Sequence, residues 1–206
     1  MEFFAWGVNH PGVAEKRSAI IREHWDFIDR YKDRLIARGP VLDPHDPSQV
    51  TGSIHIAALD DWREAKRFVH EEPFHRAGLF EHVLIRRFKL ELGRTQFEFE
   101  SAGDLPRFFV YCPAASGNGT GGERAADEYG AYCAGFDANF LCRGALLDDR
   151  GGWAGGIYLM EMADTDAVDA FLEGEPYLRA ALYGEVQVHR WTPGGPENLN
   201  QQGELA

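Results

Sequence analysis

His24 can move a proton near neutral pH, and Asp43 is a carboxylate that the chain could bring to it. An imidazole takes and returns a proton near neutral pH, and a carboxylate bonded to one ring nitrogen fixes its tautomer and raises its basicity. His24 sits in a stretch where Ile20, Ile21, His24, Phe27, Ile28, Tyr31 and Leu35 recur on one face at the helical period. Gly39 suits the exit of such a helix and Pro40 forbids its continuation. The chain reversal expected there would bring Asp43 back along the helix to His24, at one wall of a cavity. The plainer reading makes His24 a helix-face histidine bonded into the core. Asp46 is the fallback carboxylate, although the run Asp-Pro-His-Asp-Pro-Ser marks it as a turn residue; Glu72 is the next to consider.

Other side chains fit binding roles. Arg17 suits an anionic substrate group held by paired hydrogen bonds, or a salt bridge near the helix start. Ser53 and Thr51 either donate to a ligand or cap their strand. Asn9 and His10 end the first strand, near where a pocket should open. Trp6 and Tyr31 suit an aromatic pocket wall or simple core. His10, His24, His55 and Asp43 lack the spacing of a metal site, so no metal and no other cofactor is expected. The glycine-rich run at 116–122 lacks the spacing and the lysine of a phosphate-binding loop. Cys112, Cys133 and Cys142 are odd in number and read as reduced core residues, which favours a cytoplasmic protein.

The elements that must position these residues occur twice. Residues 38–43 (RGPVLD) match 143–148 (RGALLD) at an offset of 105. After a shorter loop the offset becomes 103, where Glu72-Pro73-Phe74 meets Glu175-Pro176-Tyr177. This is a tandem duplication. In the first copy the elements are expected near 2–8 (strand), 13–38 (helix), 40–43 with 51–59 (strands), 61–70 (helix) and 81–88 (strand). A βαββαβ order gives an antiparallel sheet with both helices on one face. The expected fold is therefore α+β: two ferredoxin-like repeats packed sheet to sheet as an intramolecular α+β barrel that encloses a cavity. The divisions fall at 1–92, a connector at 93–106 with a short extra strand in QFEFE, 107–192, and a frayed tail from 193. At the place of His24 the second copy has Tyr129, which with a pKa of about 10 cannot cycle protons at neutrality. One working site per chain is expected.

The net charge of −12 is uneven. Residues 1–100 carry 15 Lys+Arg against 17 Asp+Glu, whereas residues 101–206 carry 6 against 16. A polyanion-binding surface needs clustered positive charge, so nucleic acid is an unsuitable partner. Apolar runs fall far short of the roughly 20 residues needed to cross a bilayer, and no secretion signal is visible. The expected partner is a small molecule, with the chain a monomer or a homodimer.

The first copy resembles the YciI-like (YCII-related domain) family across nearly all of residues 1–90. The resemblance rests on Glu15-Lys16-Arg17, His24, Gly39-Pro40, Asp43, Thr51-Gly52-Ser53, Glu72-Pro73-Phe74, Gly78 and Val83. The second copy is similar through Gly144, Asp148, Glu175-Pro176-Tyr177 and Val186. The resemblance implies a dimeric α+β barrel within one chain and an active site formed by a His-Asp pair, at His24 and Asp43. Some members act in the cofactor-free breakdown of chlorinated aromatic compounds. Where the family commonly has an acidic residue this chain has Asn9-His10, a departure that bears on substrate choice. The function expected is cofactor-free general acid/base catalysis, of lyase or isomerase type, on a small cyclic or aromatic metabolite. A metabolite- or haem-binding module and a structural partner in an assembly are the alternatives.

Overall fold

The computed structural model describes residues 1–101, 103–116 and 125–196. The chain divides into two units, one made of residues 1–86 with 191–206 and the other of residues 87–190.

In the first unit the order is β1 (Glu2–Asn9), α1 (Ala14–Ala19), α2 (Ile21–Ile28), β2 (Leu35–Leu42), β3 (Val50–Ala58), α3 (Trp62–Glu71), α4 (Pro73–Arg76) and β4 (Phe80–Leu90). β3 lies between β1 and β2 and pairs antiparallel with both. Alternation along the strands sends one set of side chains toward the helices. Phe3 and Ala5 of β1 and Ala57 of β3 join Phe27 and Ile28 of α2 and Ala65, Phe68 and Val69 of α3 in one core. Each large side chain buried this way contributes about 1.5–3 kcal/mol. Trp6, one position on from Ala5, falls on the opposite face of β1.

The long helix expected over 13–38 is not formed. It breaks at Ile20, resumes as α2, and ends in a 3₁₀ turn, Asp29–Arg34, before β2 begins at Leu35. Gly39-Pro40 therefore lie inside a strand and not at a helix stop. What selects glycine at 39 is close approach of the chain: a Cβ there would come 2.0 Å from the Thr192 carbonyl oxygen and 3.0 Å from the Gly194 nitrogen. The Arg38 carbonyl accepts from Gly194 N–H at 2.9 Å, so the start of the expected tail is held against β2 at Gly194. The remainder, 197–206, lies outside the described residues, as does most of the glycine-rich run.

α3 begins at Asp61, whose carboxylate accepts from Glu64 N–H at 2.8 Å. Glu64 in turn accepts from Asp60 N–H and from Arg34, which ties the helix start to the 3₁₀ turn.

The second unit repeats the order with β5 (Arg107–Pro113), α5 (Ala126–Ala134), β6 (Phe140–Leu147), β7 (Trp153–Glu161), α6 (Thr165–Gly174), α7 (Pro176–Arg179) and β8 (Gln187–Trp191). β5 lies between β8 and β7, and β7 between β5 and β6. The C-terminal end of β4, from Arg87, pairs with β6. Gly144 repeats the constraint of Gly39, since a Cβ there would come 2.2 Å from the Lys89 carbonyl oxygen. The strand expected in QFEFE is instead a 3₁₀ turn, Gln96–Glu98, started by a Thr95–Glu98 capping box. Among the described residues no helix is long and apolar enough to cross a membrane.

Candidate active site

His24 is carried by α2 and buried to 7% exposure. Its Nδ1 lies 2.5 Å from Oε1 of Glu72. A carboxylate only accepts, so Nδ1 carries the hydrogen and Nε2 presents its lone pair. Glu72 is held by local geometry. It stands between α3 and α4 with extended backbone angles and caps α4, accepting from Phe74 N–H at 3.0 Å and His75 N–H at 2.9 Å. Pro73 fits the first helical position because no N–H is needed there. The same turn places the Phe74 ring parallel to the imidazole, with centroids 4.1 Å apart and planes 11° from parallel. One motif, Glu-Pro-Phe, thus orients the histidine by a hydrogen bond and by stacking.

Arg17, on α1, lies over the same Phe74 ring at 4.1 Å and donates from Nη2 to Ser53 Oγ at 2.7 Å. Its Nη1 is buried and has no hydrogen-bond partner among the described residues. Arg38, from β2, is paired with Asp29 at 2.5 Å. His55, on β3, stands 5.5 Å from His24, ring to ring. Arg17, His24, Arg38, Ser53 and His55 line a cavity of about 1050 Å³, with His10, Asn9, Trp25 and the chain at Gly194–Pro196 on its other walls. Ser53 and His55 occupy the same alternating positions of β3 as Ala57, which packs with the helices. The cavity therefore lies between helices and sheet of the first unit, and not in the space between two sheets that the repeat suggested.

Burial sets the protonation of the site. It pushes His24 below the ordinary histidine value, and the opposing hydrogen bond and charge of Glu72 do not overcome it; Arg17 and Arg38 add to the lowering. Burial pushes His55 down further, helped by His24, Arg38 and Arg17. Both rings are neutral at pH 7. Burial also lowers Arg17 to about 10, partly offset by the charge of Glu72; it remains a cation at neutrality.

The structure brings together His24, Arg17, Ser53 and His10, all expected at the site, around one cavity. It does not bring Asp43 there. The Asp43 carboxylate accepts from His45 and Asp46 N–H in the turn after β2, and these bonds hold its pKa down. Asp46 serves the same turn through Ser48 and Gln49. The reversal that was to carry Asp43 toward His24 does not occur, because Gly39-Pro40 continue the strand. Tyr31 packs against Phe27 and Phe68 in the core, and neither it nor Trp6 lines the cavity. Glu72 is the partner that the sequence reading ranked behind Asp43 and Asp46. Its signal was an acid directly before a proline, the pattern of a capping residue. Among the described residues no group of three or more His, Cys, Asp or Glu is arranged to hold a metal ion.

At the corresponding place in the second unit, Tyr129 stacks on Tyr177 at 4.3 Å and 7°, as His24 does on Phe74. Glu175 caps α7 and accepts from Leu178 N–H and from the hydroxyls of Tyr158 and Tyr183. Trp153, Tyr177 and Tyr183 pack ring against ring around it.

Residues 1–89 and 109–192 each match the YCII-related domain. The chain belongs to the YCII-related domain family. Protein YciI of Escherichia coli O6:H1 is 32% identical over 81 residues, 36% of this chain and 83% of that protein. A structure of 5-chloro-2-hydroxyhydroquinone dehydrochlorinase from Burkholderia phenoliruptrix shares 29% identity over 43% of this chain and 94% of that one, with a TM-score of 0.41. A chlorite dismutase variant from Candidatus Nitrospira defluvii is similar over 98% of this chain and 95% of its own, at 10% identity and a TM-score of 0.63. The last likeness is one of fold alone, and with the duplicated domain it makes this YCII-related chain an α+β barrel of two ferredoxin-like repeats.

Proposed function

We propose that the first repeat is a cofactor-free acid/base enzyme of lyase or isomerase type acting on a small cyclic or aromatic metabolite. The observation that carries this reading is the 2.5 Å contact between His24 Nδ1 and Glu72 at the wall of a cavity large enough for such a molecule. With Nδ1–H engaged, Nε2 is the base. A proton taken from a substrate carbon or hydroxyl makes the imidazolium, and the adjacent carboxylate stabilises that charge until the proton is returned. Non-catalytic binding is the reading against which this one is measured.

The test is proton exchange at carbon. Small cyclic ketones and enols incubated with the full chain in D₂O, followed by NMR, should exchange or isomerise faster than in buffer. Replacing His24 by Ala should remove the acceleration. An undiminished rate in the His24→Ala protein would end the acid/base reading.

A further inference from the structure

Arg17 is 8% exposed, lines the cavity, and has one terminal nitrogen without a partner among the described residues. Among the described residues no carboxylate lies in salt-bridge contact with it; its contacts are a neutral hydroxyl, Ser53, and the face of Phe74. Arg38 on the facing strand is different, because Asp29 neutralises it directly. Burying a guanidinium is costly unless its hydrogen bonds and charge are met. The same ring fixes the distance to the base. The Arg17 guanidinium carbon and the His24 imidazole each sit 4.1 Å from the Phe74 centroid. They can be no more than twice that far apart, and both line the same cavity.

We propose that Arg17 anchors a small organic anion, with a charged oxygen of a carboxylate or of an ionised enol or phenol on its guanidinium and its reacting atom toward Nε2 of His24. This rests on the reading of the cavity as an acid/base site, and it names the substrate class. In turnover a C–H proton passes to Nε2 and the bonding pair delocalises onto an enolate oxygen. Nε2 returns the proton at another carbon, so no oxidant or reductant is required. Lowered by burial, Arg17 still stays charged to about pH 10, so the anchor persists through the neutral range.

The experiment measures binding by calorimetry on the full chain at pH 7, with benzoate, 4-nitrophenolate and the neutral benzamide as probes. A charge-assisted contact to a buried guanidinium should make at least one anion on the order of tenfold to a hundredfold tighter than benzamide. The anion preferred tells carboxylate from phenolate. Arg17→Met should erase the preference and Arg17→Lys should keep part of it. Exchange at carbon, which needs His24, and anion binding, which needs Arg17, are measured as two readouts, so that loss of turnover and loss of binding are read separately. Equal affinity for anion and amide in the wild type, no saturable binding of either anion, or an anion preference that survives Arg17→Met would each overturn the proposal. Should Arg17→Met fail to fold, the wild-type comparison and Arg17→Lys decide it.

Discussion

The two repeats keep one framework and fill it with opposite chemistry. In both, a Glu-Pro-aromatic turn caps a short helix and lays its aromatic ring against a ring from the preceding helix layer. In the first, that second ring is His24, bonded to the capping acid and facing a cavity. In the second it is Tyr129, and the acid is met by Tyr158 and Tyr183. His55 and Phe80 of the first copy correspond to those two tyrosines, and Ser53 to Gly156. Burial raises Tyr129 well above the ordinary tyrosine value and raises Glu175 as well. A tyrosine hydroxyl raised in this way keeps its proton at neutrality. The comparison teaches that the stack and the cap belong to the framework of the repeat, while only the first copy places a ring there that can change charge near neutral pH.

The largest expected effect is at that ring. Once a substrate is in hand, His24→Ala should lower turnover by about 10²–10⁴-fold, with Tyr129→Phe close to wild type. Equal losses would mean that the two copies share the chemistry and would break the comparison.

Glu72→Gln keeps an oxygen to cap α4 but removes the charge beside the imidazole. Turnover should fall by roughly 10-fold to 10²-fold, part of the contribution of a positioned acid/base group, while circular dichroism shows the fold intact. Since Glu72 raises the His24 pKa, the limb of the pH–rate profile should move lower still in this variant. In the wild type that limb should already lie below the ordinary value of about 6.5, because burial outweighs the carboxylate. A limb above that value would reverse the electrostatic account.

Stability should depend on pH with opposite sign in the two repeats. His24 and His55 are depressed in the fold. The unfolded chain therefore takes up protons first, and stability is complete above about pH 6.5 and lost as the pH falls through the native values. Glu175 is raised, so its contribution is present below about pH 4.3 and lost as the pH rises through the native value. Glu175→Gln should remove that loss, with a Tm at pH 7 equal to wild type or higher by a few degrees, about the 2–4 °C that 1 kcal/mol represents in a chain of this size. A Tm that drops by more than this would show Glu175 to be a needed charge, like Glu72.

The smallest effect is expected at Asp43. Asp43→Ala loses two hydrogen bonds within one turn, so stability should change by about 1 kcal/mol or less and turnover should stay within about twofold. A loss of turnover approaching that of His24→Ala would restore Asp43 to the site.

The duplication, the α+β class and the strand order were legible because they are written in spacing: constant offsets, alternating apolar runs, and paired Glu-Pro-aromatic and Arg-Gly segments. The element boundary at 29–35 was not. Ile28, Tyr31 and Leu35 continue a helical period, yet Leu35 starts β2 and pairs with Ala57 of β3, since the sheet offers that segment a ladder that local periodicity does not register. That misplaced boundary carried Asp43 toward His24 in the sequence reading and hid the role of Gly39.

By itself the sequence determined that a histidine would stand on the first helix layer, that Arg17 and Ser53 were candidates to join it, and that only one copy keeps it, because residue type and repeat register are local facts. The tertiary structure alone decided which carboxylate meets His24, which face of the sheet holds the cavity, and how burial outweighs Glu72 in setting the imidazole. These depend on atoms far apart in the chain, 48 residues in the case of His24 and Glu72, and on the loss of water around them. No spacing along a sequence encodes that.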